Sequence, residues 1–158
     1  MKSYQASQRR NLDRAAASFF KVETDQITQC SSRKKIEDEK RIKREQNAKK
    51  LKEYMIEVRR TYDGDVLAYI EENVFKMWER HHYTRAAYLA HFDIDKAIIA
   101  HNLKRYIVEL RQTYSDEVLS YIEENVVKKW EMDNYSRPID LAHDDVEKAV
   151  ETFSKSTI

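Results

Sequence analysis

Hydrophobic residues recur at helical spacing in two stretches of the chain that share much of their sequence. Tyr54–Ile98 aligns without a gap with Tyr106–Val150, 52 residues later, and 24 of the 45 aligned pairs are identical. The apolar positions follow the three-to-four-residue period of an amphipathic helix. Similarity at a fixed period indicates one supersecondary unit used twice, each copy burying its apolar face against the other.

The pattern predicts an all-α tandem helical repeat of two three-helix units, each of about 52 residues, in the order A-B-C-A-B-C-A′. Helix A is expected at about 33–62 and again after Asp93, helix B at about 65–80 and 116–132, and a short helix C at about 84–91 and 136–143. The predicted N-caps are Asp63 and Ser115 for helix B, Thr84 and Ser136 for helix C, and Asp93 and Asp145 (or Asp144) for the helices that follow helix C.

Three regions are expected along the chain. Residues 1–32 form a flexible or short-helical N-terminal arm that ends in a polar linker containing Cys30, and residues 33–50 form a basic helical extension. Residues 51–158 form the tandem-repeat domain, with units at about 51–93 and 94–145 and a capping helix at 146–155. The middle helix A has the most continuous apolar pattern, so it should be the most buried helix and should touch both units.

Composition narrows the classes of protein. One glycine and one proline in 158 residues nearly exclude sheets with tight hairpins and glycine-rich phosphate loops. A single cysteine excludes an intramolecular disulfide and a thiolate zinc cluster. Because no apolar run reaches transmembrane length and no secretory leader is present, we expect a soluble, cytoplasmic protein without a membrane partner.

Charge divides the chain into a basic head and an acidic body. Residues 1–50 hold 14 Lys/Arg against 7 Asp/Glu, and residues 51–158 hold 15 against 21. A basic helix can bind phosphates through counterion release, whereas mixed signs at four-residue spacing are typical of a solvated, partner-binding or self-associating helix. The candidate nucleic-acid-binding residues are Arg9, Arg10, Arg33, Lys34, Lys35, Lys40, Arg41, Lys43 and Arg44.

A Tyr-Glu-Lys pattern on helix B occurs in both copies, on the face that we expect to lie opposite the apolar stripe. Glutamate four residues before lysine supports a helix, and tyrosine supplies both apolar area and a hydroxyl to a contact surface. Surface support inherited through duplication and a repeated partner-binding surface are both compatible with the pattern. The candidate partner-binding residues are Tyr69, Glu72, Lys76, Tyr121, Glu124 and Lys128.

Other recurring polar residues have structural explanations. Trp78 and Trp130 should anchor the core with their ring N–H groups bonded locally. Asn73 and Asn125, at the edge of the apolar stripe, should bond to a neighbouring helix. His91 and His143 precede aspartates but lack the spacing of a helical metal site, so no metal or cofactor is expected.

The sequence favours a non-catalytic protein-binding module, a small accessory, adaptor or inhibitor protein that docks on a larger protein or enzyme complex. Its carboxylates are expected on exposed helix faces, and no glycine-flanked nucleophile is present, so an enzyme is not expected. The alternative is a nucleic-acid-binding protein that uses residues 1–50.

Overall fold

The computed structural model describes the backbone of residues 2–157 and the side chains of residues 13–18 and 21–157. Every regular element in this part of the chain is helical, which confirms the all-α prediction. The elements are α1 (Lys2–Thr61), α2 (Gly64–Ile70), a first π-helical segment (Glu71–Phe75), α3 (Lys76–Arg80), a 3-10 turn (Ala87–Leu89), α4 (Ala90–Thr113), α5 (Asp116–Ile122), a second π-helical segment (Glu123–Val127), α6 (Lys128–Met132) and α7 (Ile139–Ser156).

The chain divides into two compact units, Met1–Gln46 and Asn47–Ile158. The first unit belongs to helix α1, and its exposed apolar side chains Val22, Ile27, Ile36 and Ile42 are 48% to 67% accessible. Arg41 pairs with Asp38, three positions earlier, at 3.4 Å, and such pairs support a solvated helix. Helix α1 also includes 23–32, where we expected a linker, because no glycine or proline interrupts it there. The expected region boundaries stay a prediction.

Helix B of each copy is a helix with a wide π-helical turn in its middle. The amide of Lys76 donates to the carbonyl of Glu71, and that of Lys128 to the carbonyl of Glu123, so each bond spans five residues rather than four. Asp63 and Ser115 occupy the N-cap positions before α2 and α5, as expected, but neither side chain makes the capping hydrogen bond.

Helix B ends in a left-handed turn in both copies. The Tyr83 amide donates to the carbonyl of Trp78 at 2.8 Å, and the Tyr135 amide to that of Trp130 at 2.8 Å, which closes a Schellman motif. His82 and Tyr83 have φ of 52° and 56°, and the second copy has the same pair of positive φ values at Asn134 and Tyr135. The chain then leads into α4 in one copy and α7 in the other.

The expected separate helix C is wrong. In the second copy Ile139–Ser156 is one continuous helix, and in the first copy only the 3-10 turn precedes α4. Ala142, Val146 and Ala149 follow one helical stripe across the expected break, so a single amphipathic helix buries them together. The three-helix unit is therefore not confirmed.

Two hydrophobic clusters form the interior of the second unit, Asn47–Ile158. The first cluster contains Leu51, Met55, Val58, Ile70, Val74, Phe75, Trp78, Ala90, Ile94 and Ala97. The second contains Leu103, Ile107, Leu110, Ile122, Val126, Val127, Trp130, Ala142, Val146 and Ala149. Helix α4 contributes to both clusters and has the largest number of buried residues among the helices of this unit, as predicted for the middle helix A.

A candidate partner-binding cleft in the second copy

A buried tryptophan, an aspartate and an arginine form a hydrogen-bonded network in the first copy. Trp78 Nε1 donates to Asp93 Oδ2 at 3.0 Å, and Arg85 donates from Nε and Nη2 to the two oxygens of Asp93 at 2.8 and 2.7 Å. The expected N-cap role of Asp93 is wrong, because the residue lies inside α4. Its carboxylate instead satisfies the indole and the guanidinium, which fixes the Arg85 loop on the helix.

The second copy repeats this network with Trp130, Arg137 and Asp145. Trp130 Nε1 lies 3.2 Å from Asp145 Oδ2, and Arg137 binds both carboxylate oxygens at 2.8 Å. The hydrogen bond from Arg137, and to a lesser degree that from Trp130, holds the pKa of Asp145 below its ordinary value, although burial opposes the shift. Asp145 lies inside α7, so its expected capping role is also wrong.

The tryptophans are core anchors with bonded N–H groups, as predicted from the sequence. The two arginines were not identified in advance. The signal that could have found them is their recurrence eight residues before the aspartate in both copies.

Tyr69 and Tyr121, two candidate partner-binding residues, lie partly buried against the hydrophobic clusters rather than on a fully exposed face. The Tyr69 ring packs on His101 at 5.2 Å, and its hydroxyl accepts a hydrogen bond from Lys104 Nζ at 3.1 Å. Tyr121 packs on Phe153 at 5.4 Å, and its hydroxyl has no hydrogen bond to any residue that the structure describes.

The other four candidate residues of the repeated surface pair with each other on exposed helix. Lys76 binds Glu72, and Lys128 lies 3.8 Å from Glu124. These pairs give each copy the expected helix support. Whether these residues also touch a partner stays a prediction.

Asn73 and Asn125 do not bond to a neighbouring helix as expected. The Asn73 amide donates to the carbonyl of Tyr69, and the Asn125 amide to that of Tyr121, both at 2.9 Å. Each acceptor lies four residues earlier and just before the π-helical segment, so each asparagine supports the irregular part of its own helix.

A cleft with a volume of about 480 Å³ opens in the second copy between the α5–α6 helix and α7. Tyr121, Trp130 and Arg137 line it together with Asn125, Val126, Lys129, Asp133, Asp145, Lys148, Ala149 and Thr152. Arg137 is already paired with Asp145, whereas Lys129 and Lys148 make no ion pair with any described residue. The cleft therefore offers two unpaired ammonium groups beside a free tyrosine hydroxyl.

Three of the lining positions differ between the copies. Lys129 aligns with Met77, Asp133 with His81 and Thr152 with Ala100. Met77 is one of the partly buried apolar residues packed against the first cluster. At these positions the second copy has polar groups that can bind a ligand, where the first copy has apolar packing and an imidazole.

The recurring histidines contact aromatic rings. His143 stacks on Tyr106 with 4.2 Å between ring centroids, and His91 lies 3.9 Å from the ring of Phe92. Among the described residues, no three His, Cys, Asp or Glu side chains are grouped closely enough to hold a metal ion. Within the same part of the chain, no helix combines the length and apolar character needed to cross a bilayer.

The candidate nucleic-acid-binding residues from Arg33 to Arg44 are exposed along α1 in the first unit. Of these, Arg41 pairs with Asp38 at 3.4 Å. The side chains of Arg9 and Arg10 lie outside the described residues. The candidate residues for protein binding are all in the second unit, so the two sets belong to different units of the chain.

Comparisons with protein-family models, curated proteins and solved structures gave no match for this chain. The second-copy cleft and the exposed basic helix are therefore the two features from which a function can be inferred.

Proposed function

We propose that the chain is a non-catalytic protein-binding module, a small cytoplasmic accessory, adaptor or inhibitor protein that docks on a larger protein. The observation that carries the proposal is the second-copy cleft, in which Lys129, Lys148 and the Tyr121 hydroxyl lack partners among the described residues. A protein partner inserts one polar or acidic side chain there.

The chemistry of the cleft suits a protein contact. Tyrosine, tryptophan and arginine are enriched among the residues that contribute most to binding in measured interfaces, and all three line this cleft. Its volume lies in the range of sites that accept a ligand or an inserted side chain. The Trp130–Asp145–Arg137 network holds the wall rigid, so little conformational entropy is lost when a partner binds.

The two copies have different roles in this proposal. We infer a tandem arrangement in which the first copy has a supporting role, because the Tyr69 hydroxyl already accepts a hydrogen bond from Lys104. The second copy recognises the partner. Glu124 and Lys128 extend its contact surface beside the cleft. Glu72 and Lys76 are the corresponding pair of the first copy.

The test is affinity capture with a charge reversal in each copy. Lys148 in α7 aligns with Lys96 in α4, so Lys148→Glu and Lys96→Glu make the same change of charge in the second copy and in the first copy. The full-length proteins are incubated with a nuclease-treated lysate of the cells that express the chain. Lys148→Glu should lose at least ten-fold of the captured partner, and Lys96→Glu should retain it.

Thermal melting of both variants checks that they are folded. Equal capture by the wild type and by both variants contradicts a partner site in the cleft. Equal loss in both variants also contradicts it, because the effect then does not depend on the second copy.

A further inference from the structure

Helix α1 carries a strip of cations in the first unit, with acidic residues along both of its edges. At about 100° per residue, Arg33, Lys40, Lys43 and Arg44 fall within a sector of roughly 100°, and the nearest acids, Glu37 and Glu39, lie outside both edges. We call these four residues the basic sector. All four side chains are exposed.

Residues 33–46 have an excess of positive charge, and this excess lies entirely in the basic sector. Residues 33–46 contain seven Lys/Arg and four Asp/Glu, so the sector has four positive charges and the rest of the helix surface has three cations against four acids. Arg41 pairs with Asp38 at 3.4 Å on that other surface. None of the four sector residues has an ion pair or hydrogen bond with a described residue, so all four are available to an external anion.

We propose that the basic sector binds the phosphate backbone of a nucleic acid. A nucleic-acid strand is a line of regularly spaced negative charges, and a protein gains affinity by releasing the counterions from each phosphate it contacts. The sector runs for about 17 Å along the helix axis, which matches several successive phosphates of one strand. This site and the protein-binding cleft are formed by different residues, and the proposal does not depend on the cleft.

Three other occupants fit the sector less well. A membrane surface requires a broad apolar face opposite the cations, whereas Ile36 and Ile42 are about 120° apart on the helix. An acidic protein would be held by aromatic anchors in a packed centre, and the sector has no aromatic residue. A second copy of the chain would oppose like charges without an apolar seam to compensate.

The distribution of acids also predicts how the strand is bound. Glu37, Asp38, Glu39 and Glu45 would repel a second backbone, so the helix lies along one strand and does not insert into the major groove, where it would face two. Binding is then independent of base sequence. Four phosphate contacts predict that log K falls with log salt with a slope of about −3.6 for a duplex and about −2.8 for a single strand.

The experiment compares two full-length variants with equal charge. The sector variant combines Arg33→Gln, Lys40→Gln, Lys43→Gln and Arg44→Gln. The control variant combines Lys34→Gln, Lys35→Gln, Arg41→Gln and Lys49→Gln, which removes the same number of cations from positions of α1 outside the sector. Circular dichroism checks that α1 keeps its helicity, since glutamine, lysine and arginine have similar helix propensities.

Binding is measured by fluorescence anisotropy with single-stranded and duplex DNA of about 20 nucleotides in 50 to 200 mM salt. The wild type should lose about 100-fold in duplex affinity over this range. At 50 mM salt the sector variant should bind at least ten-fold more weakly than the control variant, and its salt slope should approach zero. Lys148→Glu should bind as the wild type does, which separates this test from that of the cleft.

Two results would overturn the proposal. One is an equal loss of affinity in the two variants, because general charge would then account for binding. The other is no binding of DNA at 50 mM salt, including the case in which phosphatidylserine vesicles bind instead.

Discussion

At the scale of single residues, His101 is the polar side chain whose position in the second unit is least satisfied. It is 8% exposed, its ring lies against Tyr69, and its Nε2 is buried without a hydrogen-bond partner among the described residues. The aligned residue of the second copy is Phe153, which makes the same tilted contact with Tyr121. A buried polar atom without a partner costs about 1–3 kcal/mol.

His101→Phe should therefore raise the free energy of unfolding by about 1–2 kcal/mol, because it removes the unsatisfied nitrogen and keeps an aromatic ring on Tyr69. Urea unfolding followed by circular dichroism measures the change. The reciprocal variant Phe153→His is the control and should be less stable than the wild type. A destabilised His101→Phe would show that the imidazole makes a favourable polar contact.

Asp145 gives the second residue-scale prediction. Its pKa is lowered in the folded protein by the hydrogen bonds from Arg137 and Trp130, so its contribution to stability is fully present above the unfolded-state pKa of about 3.9. That contribution is lost as the pH falls through the lower folded-state pKa. Asp145→Asn should cost about 1–2 kcal/mol at pH 7, since hydrogen bonds to a charged group are lost at a half-exposed site.

The difference in unfolding free energy between Asp145→Asn and the wild type should shrink as the pH is lowered from 5 to below 3, because the wild-type carboxyl also loses its charge. Denaturant unfolding at a series of pH values measures it. A difference that stays constant across this range would mean that the charge of Asp145 does not contribute.

At the scale of elements, we expect glycine to stabilise the left-handed turns that follow helix B. His82 has a φ of 52°, and an L-residue with a side chain is disfavoured there, so His82→Gly should stabilise the protein by about 0.5–1 kcal/mol. Asn134→Gly should gain less, because asparagine tolerates this conformation better than histidine.

The single glycine of the chain is the matched control for this prediction. Gly64 has a φ of 54°, and an added Cβ would meet no atom within 4 Å, so only the backbone conformation opposes a side chain. Gly64→Ala should therefore lower the melting temperature, whereas His82→Gly should raise it. The same sign for both substitutions would contradict backbone strain as the cause.

The sequence predicted the helices better than it predicted their boundaries. Apolar periodicity located helix B because Val66, Ile70 and Val74 lie on one stripe, but a π-helical turn leaves no apolar signature of its own. Helix C was predicted from plausible caps, Thr84 and Ser136, yet neither is the N-cap of a helix in the structure. A cap residue such as Asp145 is a weak signal when an apolar stripe continues past it, as the stripe does from Ala142 to Val146.

The candidate sites were predictable to a different degree. The basic helix could be found from charge alone, and its face follows from helical geometry. The cleft could not, because Lys129 and Lys148 belong to different helices, 19 positions apart, and only the packing of α7 brings them to one cavity. The partial burial of Tyr69 and Tyr121 was missed because helix B contributes a wider face to the core than its central stripe.

At the scale of the whole second unit, helix α4 joins the two hydrophobic clusters. Ile94 belongs to the first cluster and Leu110 to the second, and both lie on this one helix without a chain break between them. Losing the packing of either cluster exposes part of α4 and removes support from the other part. We therefore expect both copies to unfold in one cooperative transition.

Each cluster contains its own tryptophan, which allows a direct test. In a Trp78→Phe background, Trp130 reports on the second cluster, and in a Trp130→Phe background, Trp78 reports on the first. Ile94→Ala removes apolar volume only from the first cluster and should cost about 2–5 kcal/mol. Because α4 couples the clusters, the urea midpoint reported by Trp130 should fall as far as that reported by Trp78. A shift seen by Trp78 alone would mean that the copies unfold independently and that α4 frays between them.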